Sequence, residues 1–371
     1  MRVEPAVDVC ACNRRTALRR GGVLLAWGAG GLSSTMPRHA AAQADHARIA
    51  VPFYRPAQAM QGLYRAHLVP RAQAFAEAAG RLPPLLREAC GTPAHERARA
   101  GWTEALAAWD DLAAVPLGPL IERRALRTLD FQPTRPELIE RAIARAPSGA
   151  EAMQRIGTPA KGMPALEWLL WSLPAAKRPP GSLACAYAAE VADELAREAA
   201  ALAGAAQAAG DKEWDEERGD AAFAELLNQW VGAVERLRWV QIDKPRREAA
   251  TKGLRQPAYP RAASGQTAAS WQRQWHAIEA LAVFTGGAVP QPGQGAVPLE
   301  TYLRSRGLNP LADRWAAQVS RAGAAMQGLR PDHRGRLDTA VRELAQLKAM
   351  AENELAPAVQ VSIGFSDADG D

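Results

Sequence analysis

The chain has 371 residues, of which 48% are hydrophobic and 23% are charged, and its formal net charge is +5. Residues 1–44 hold six of the 45 basic side chains and two of the 40 acidic ones, so the rest of the chain is close to neutral. This balance gives no indication of binding to nucleic acid or to an anionic membrane, and we predict neither as a partner. The length is sufficient for one large core or two modest domains.

The first 44 residues have the pattern of an export signal. Arg14 and Arg15 are followed by an apolar stretch, 23–32, that is too short to span a bilayer. Small residues up to Ala44 match what a signal peptidase recognises, and the paired arginines are typical of the twin-arginine route. We therefore predict a signal peptide over 1–44 with cleavage near Ala44. The mature chain, 45–371, is then a periplasmic protein without a transmembrane segment. The alternative is an internal helix, which the glycines of the stretch disfavour.

Abundant alanine and leucine and few β-branched residues favour helices throughout the mature chain. The first predicted helix begins with Thr92 as the N-cap and Pro93 in the first turn, and it runs through Trp102 and Trp109. Ser148 and Glu151 have the spacing of a capping box and predict another helix start.

Two later segments show a clear helical period. In 183–209 four apolar residues share one face: Tyr187, Val191, Leu195 and Leu202. The same pattern recurs in 335–355, and Asn309 followed by Pro310 predicts a further helix start. No convincing strand run is present, since the β-like stretch 359–365 is short. The fold class is therefore predicted to be all-α.

Four segments rich in proline or glycine are predicted to be loops: 116–136, 172–182, 244–265 and 286–298. Long loops on a helical scaffold often carry function. Two cysteines, Cys90 and Cys185, remain in the mature chain. They could pair in an oxidising compartment, but they are far apart in sequence, and we expect two separate buried thiols.

A weak internal sequence similarity, which we call the echo and which is below the level of a clear repeat, suggests that the chain consists of two halves. Residues 164–169 resemble 276–281, since each run has alanine, an aliphatic residue and then glutamate. Two helical-bundle halves, about 45–210 and 211–371 and joined near 205–220, would explain the echo as an internal duplication. Chance recurrence of short alanine and leucine patterns is the alternative.

The most informative run is 162–171, where one carboxylate, Glu167, lies among large apolar side chains. An ionised carboxylate in such surroundings is costly unless it has a partner. The run resembles the Gly-x-His-x-x-Glu signature of the imelysin family, with Gly162 and Glu167 at the matching positions. Pro164 occupies the position of the histidine, so the acid of a proposed metal site is kept without its imidazole.

Further segments carry the resemblance over nearly all of 45–371. Trp109, the Gly118-Pro119-Leu120 run and 131–133 are similar to a conserved family stretch, although Gln132 stands where a tryptophan is common. The terminal 364–371 run is similar to the ending of the subgroup with proline in the signature. The resemblance implies an exported, all-helical protein of two bundle-like halves that is linked to iron uptake.

Glu167 has two possible roles. In the first, it binds a ligand in a cleft between the halves, bordered by Glu167 and the 116–136 loop, with Gly162, Arg124 and Arg127 as further ligand-binding candidates. In the second, it is a buried carboxylate that ties its helix to an arginine such as Arg124 or Arg127.

A metal ion is the candidate cofactor, with Glu167, His276 and Glu279 as possible ligands. His276 and Glu279 share a helix face, although their order is the reverse of the Glu-x-x-His motif of di-iron bundles. No His-Glu-x-x-His run is present. The terminal aspartates 367, 369 and 371 resemble the start of a calcium loop that lacks its distal glutamate, and a solvated tail is the simpler interpretation.

The favoured function is a non-catalytic binding or accessory protein of the envelope, whose partner is an envelope component or a metal or haem ligand. The link to iron, metal or haem uptake comes from the resemblance. One alternative is a metal-dependent peptidase, which Pro164 disfavours because proline offers no side-chain donor to a metal. The other is a structural interaction protein of the envelope.

Overall fold

The computed structural model describes residues 50–90 and 95–364. The predicted signal peptide, the helix start at Thr92 and Pro93, and the terminal aspartates lie outside the described residues. Within the described ranges the chain forms helices and no strand, which confirms the all-α prediction. None of the described helices is long and apolar enough to cross a membrane.

The helices are numbered here in chain order. Their bounds are α1 Pro56–Leu63, α2 Val69–Gly80, α3 Leu82–Ala89, α4 His95–Ala113, α5 Pro119–Glu122, α6 Ala125–Leu129, α7 Pro136–Ala144, α8 Gly149–Gln154, α9 Gly162–Glu167, α10 Leu183–Asp211, α11 Glu216–Glu235, α12 Lys244–Thr251, α13 Thr267–Ala282, α14 Leu299–Ser305, α15 Asn309–Met326, α16 Arg334–Met350 and α17 Ala356–Ala358. Four π-helical turns occupy Tyr64–Leu68, Trp168–Ser172, Arg236–Asp243 and Ala351–Leu355.

One group of helices comes from the first part of the chain. Helices α2 and α3 pack both with α4 and with α10, and α10 buries the four apolar residues that its period places on one face. Trp102 and Phe75 are fully buried in this group. The amphipathic period of α10 therefore produces the packing that the sequence predicts.

A second group consists of α11, α13, α15 and α16. The rings of Trp230 in α11 and Trp315 in α15 are in tilted contact, with centroids 5.0 Å apart and planes at 54°. Each indole Nε1 donates to a carbonyl of α13, at Ile278 and Ala282 respectively, over 2.9 Å. The N–H group of each of these two buried rings is thus hydrogen-bonded, so the rings fill the core without leaving either group unsatisfied.

Two helix–helix contacts join the first part of the described chain to the second group. Helix α4 packs against α13, and α1 packs against α11. At the second place Gly219 of α11 is required, because a Cβ there would lie 2.4 Å from the backbone nitrogen of Ala57. Helix α1 therefore packs in space against a helix from beyond residue 211.

Three local predictions need correction. The segment 244–265 begins with helix α12, since Pro245 lies in the first turn, where proline is tolerated. The loop 116–136 contains α5 and α6. Helix α8 begins after Ser148 as predicted, but the Ser148 side chain makes no capping bond. The Gly149 amide donates to Glu190 of α10 over 3.0 Å.

The expectation of two separate thiols is wrong, because Cys90 and Cys185 form a disulfide with their Cα atoms 5.6 Å apart. Cys90 ends α3 and Cys185 lies in the first turn of α10. These two helices pack side by side, so the residues meet in space although they are far apart in sequence.

Candidate functional site

Helix α9 carries Glu167 and begins at Gly162, whose φ is 74°. This left-handed conformation favours glycine. A Cβ at this position would also lie 2.4 Å from the carbonyl oxygen of Leu129 in α6. Both observations give the glycine of the motif a structural role: it allows the chain to turn into α9 against α6.

After Glu167 the chain continues as the π-helical turn Trp168–Ser172. The Leu170 carbonyl of this turn accepts hydrogen bonds from Arg99, at 3.1 Å from Nε and 2.9 Å from Nη2, and it lies 2.8 Å from His95 Nε2. Burial lowers the pKa of His95, and Arg178 Nη1 lies 2.9 Å from its Nδ1. A neutral His95 that donates to Leu170 and accepts from Arg178 fits this arrangement. The hydrogen bonds from Arg99 and His95 to the Leu170 carbonyl hold in place the π-helical turn that follows Glu167.

The Glu167 carboxylate is only 4% exposed and has partners on both oxygens. Its Oε1 accepts hydrogen bonds from the Ser264 amide, over 3.0 Å, and from the Ser264 hydroxyl, over 2.7 Å. Its Oε2 lies 3.7 Å from Arg261 Nη1. The ionic partner of Glu167 is therefore Arg261. Arg124 and Arg127 are exposed, and the prediction that one of them pairs with Glu167 is wrong.

Arg261 connects Glu167 to a second carboxylate. Its Nη2 donates to Asp130 Oδ1 over 2.5 Å, and its guanidinium lies 5.7 Å from the ring centroid of Trp102. Asp130 also accepts a bond from Trp109 Nε1 over 2.9 Å. Burial lowers the pKa of Arg261, but Asp130 and Glu167 outweigh burial and raise it above the ordinary value. Arg261 is thus a cation clamped between two carboxylates, and its own φ of 64° is left-handed.

Asp110 extends this polar network between α4 and α13. It is buried and accepts bonds from Ser270 Oγ over 3.0 Å and from Arg273 Nε over 3.1 Å. Burial raises the pKa of Asp110 to about 6. The two helix groups therefore meet through paired charges as well as through apolar packing.

A cavity of about 700 Å³ opens beside Glu167, and we call it the outer cavity. One part of its wall comes from Glu167, Trp168 and residues 132–136, and the rest comes mainly from 240–263. Its lining residues include Arg135, Lys244, Glu248, Lys252, Tyr259, Arg261 and Ala263. The cavity thus lies where the 116–136 loop approaches Glu167.

A smaller cavity of about 330 Å³ adjoins it, and we call it the inner cavity. Asp110, Asp130 and Arg127 are among its lining residues, and Gln132 and Val240 line both cavities. Arg127 therefore contributes to this neighbouring space, whereas Arg124 lines neither cavity. Gly162 lines a third cavity, of about 200 Å³, beside α10.

The predicted metal ligands are distributed over different surfaces. His276 is exposed on α13. Glu279, half-buried one turn later, faces Gly323 of α15, where an added Cβ would lie 3.0 Å from its Oε1. Neither residue lines the outer cavity with Glu167. Among residues 50–90 and 95–364, no three His, Cys, Asp or Glu side chains are grouped so that they could hold a metal ion. Their role in metal binding stays a prediction.

Sequence reasoning missed Arg261, Ser264, Asp130 and Asp110. The signals were the position of Arg261 and Ser264 in the proline-rich, basic segment 244–265 and of Asp130 in the 116–136 loop. Nothing in the sequence shows which buried carboxylate that segment meets.

Comparison with known proteins identifies the family. The family model described as Peptidase M75, imelysin, matches residues 66–360. The fold is similar to that of an imelysin-like protein from Psychrobacter arcticum 273-4, with a TM-score of 0.67 and 17% identity, covering 85% of this chain and 100% of that one. It is also similar to a Parabacteroides distasonis ATCC 8503 protein named iron-regulated protein A precursor, with a TM-score of 0.62 and 14% identity, covering 82% and 95% of the two chains. No curated protein matches. Because the family model spans most of the sequence, this chain belongs to the imelysin family.

Proposed function

We propose that this protein acts in the periplasm as a non-catalytic binding protein for iron uptake, and that the outer cavity is its ligand site. Membership of the imelysin family and similarity to a protein named as iron-regulated support the link to iron. The predicted signal peptide supports export.

The observation that carries the proposal is the outer cavity beside the motif residue Glu167. Its volume of about 700 Å³ falls within the range of about 300–1,000 Å³ typical of small-molecule sites. Its wall combines aromatic and apolar side chains with charged ones, and this mixture is suited to holding a ligand in one orientation.

The arrangement of Glu167 supports binding over hydrolysis. Both carboxylate oxygens are already engaged, by Ser264 and by Arg261. A general base must be free to accept a proton from a water molecule, and Pro164 has no side-chain donor for a metal. The peptidase alternative therefore requires catalytic groups other than the two motif positions.

The proposal can be tested by filling the cavity. Ala263 is an exposed lining residue, so Ala263→Trp should occlude the cavity without disturbing the core. Ala208→Trp, at an exposed position of α10, is the matched control. Each protein is purified from the periplasm of its native host and its iron content is measured by elemental analysis.

We expect iron to copurify with the unaltered protein and the control and to be lost from Ala263→Trp. Equal iron content in all three proteins would contradict the proposed site. Absence of iron from all three would favour the structural alternative. Chelator-sensitive cleavage of unstructured peptides would favour the peptidase.

A further inference from the structure

We infer that the outer cavity binds its ligand through anionic oxygen groups, of the carboxylate or phosphate type, and not as a bare metal cation. This inference rests on the proposed function, because it names the ligand class of the same cavity. It follows from which charged side chains in the wall already have partners and which do not.

The carboxylates of the wall already have cationic partners. Glu167 is held by Ser264 and Arg261, as described above, and Arg261 in turn by Asp130. Glu248 lies 3.5 Å from Lys252, one turn further along α12. A cation entering the cavity would therefore have to displace an existing partner and would face the guanidinium of Arg261.

Two cations of the wall lack such partners. Lys244 and Arg135 line the cavity, and neither makes an ion pair with another residue in the described part of the chain. Asp243, the carboxylate next to Lys244 in sequence, is occupied by Arg246 at 3.6 Å and Arg247 at 2.7 Å. The outer cavity thus presents two positive charges that have no ion-pair partner among the described residues.

The setting of Lys244 strengthens its attraction for an anion. Lys244 is half-buried at the start of α12, directly after the π-helical turn Arg236–Asp243. Interactions between charges are stronger where part of the surrounding water is excluded. Turns of the π type also occur frequently at functional sites, and a second one, Trp168–Ser172, contributes to the same wall.

The remaining wall suits an organic anion. Trp168 and Tyr259 line the cavity together with prolines 133, 136, 245 and 260. A cationic cavity with apolar sides repels a bare metal ion but attracts an anionic chelate that carries one. This ligand class reconciles the charge of the cavity with a family linked to iron.

Calorimetric titration of the mature protein tests the inference, with citrate, ferric citrate, inorganic phosphate and, under anaerobic conditions, ferrous ion without a chelator as probes. Lys244→Gln removes the half-buried charge and Lys244→Arg restores it. Arg135→Gln removes the charge of the second, exposed cation and tests its contribution to binding. The matched control is Lys212→Gln, an exposed lysine that lines none of the three cavities described above.

We expect the oxyanions to bind the unaltered protein and Lys212→Gln equally. Binding should weaken about ten- to hundredfold in Lys244→Gln, which is the usual loss for one charge-assisted hydrogen bond. Lys244→Arg should recover most of the affinity, and added salt should lower it. Tighter binding of ferric citrate than of phosphate would identify a chelate as the source of the anion, whereas equal binding would identify a plain oxyanion. Both results support the inference.

Affinity that is unchanged in both Lys244→Gln and Arg135→Gln would overturn the inference. Binding of ferrous ion without binding of any oxyanion would also overturn it, while leaving the proposed role in iron uptake intact. If no probe binds and Ala263→Trp purifies with as much iron as the unaltered protein, both the inference and the proposed site fail.

Discussion

Replacing Glu167 with glutamine separates a structural carboxylate from a metal ligand. The substitution keeps the side-chain volume and one amide oxygen, which can still accept from Ser264. It removes the negative charge that faces Arg261 Nη1 at 3.7 Å. Since Nη1 makes no hydrogen bond and is buried, its interaction with Glu167 is ionic and has no substitute in the variant.

The expected loss of unfolding free energy is about 1–3 kcal/mol. Removing one partner of a buried ion pair costs about 3–5 kcal/mol when the remaining charge is left uncompensated. Arg261 is not left alone, because its Nη2 keeps the 2.5 Å bond to Asp130. The penalty should therefore approach that of a buried donor that loses its partner, about 1–3 kcal/mol.

Urea unfolding measures this loss, and Glu248→Gln is the matched control. Glu248 lines the same cavity but is exposed, so its substitution should change stability by less than about 0.5 kcal/mol. The difference between the Glu167 variant and the unaltered protein should be the same in chelator and across a series of iron, zinc and calcium concentrations. Metal-dependent stabilisation that requires Glu167 would refute this reasoning, because a ligand that binds only the folded state raises stability with its concentration.

Three further predictions concern other parts of the chain. Arg14→Lys with Arg15→Lys should leave precursor in the cytoplasm, and normal periplasmic accumulation in cell fractionation would contradict the twin-arginine route. Cys90→Ser opens a link across a sequence separation of 95 and should lower the unfolding free energy by about 2–5 kcal/mol; reductant should then destabilise the unaltered protein but not the variant. Burial, and then Arg71, lowers the pKa of His67 to about 3, so below pH 6.5 the unfolded chain binds a proton that the folded chain does not. Stability should therefore fall with pH from 6.5 towards 3, and over the interval from 6.5 to 5 this amounts to about 2 kcal/mol. His67→Gln should lose about this much of the pH dependence in urea unfolding at pH 7 and pH 5, and equal slopes would contradict the assignment.

Local patterns predicted much of the fold because they depend on near neighbours in sequence. The apolar face of α10 and the start of α15 at Asn309 are confirmed. Helix α12 was missed because a proline-rich composition was interpreted as a loop, although Pro245 occupies a first-turn position that a helix tolerates.

The candidate site was predictable only in part, because its contacts join distant segments. Glu167 was recognisable as a carboxylate that needs a partner. Its partner, Arg261, is 94 positions further along the chain and reaches it only because the loop after α12 folds against α9. The disulfide has the same explanation, since the packing of α3 against α10 brings Cys90 to Cys185. Composition and spacing do not determine such pairings.

Crystallography of the protein soaked with ferric citrate, with anomalous data collected at the iron edge, is the most direct test of the outer cavity as the ligand site. The iron signal is expected inside the outer cavity, with an oxygen of the chelate within hydrogen-bond distance of Lys244 Nζ. Glu167 should still accept from Ser264 and face Arg261. An iron atom bonded directly to Glu167 with Arg261 displaced, or an iron signal only outside the outer cavity, would contradict the proposed mode of binding.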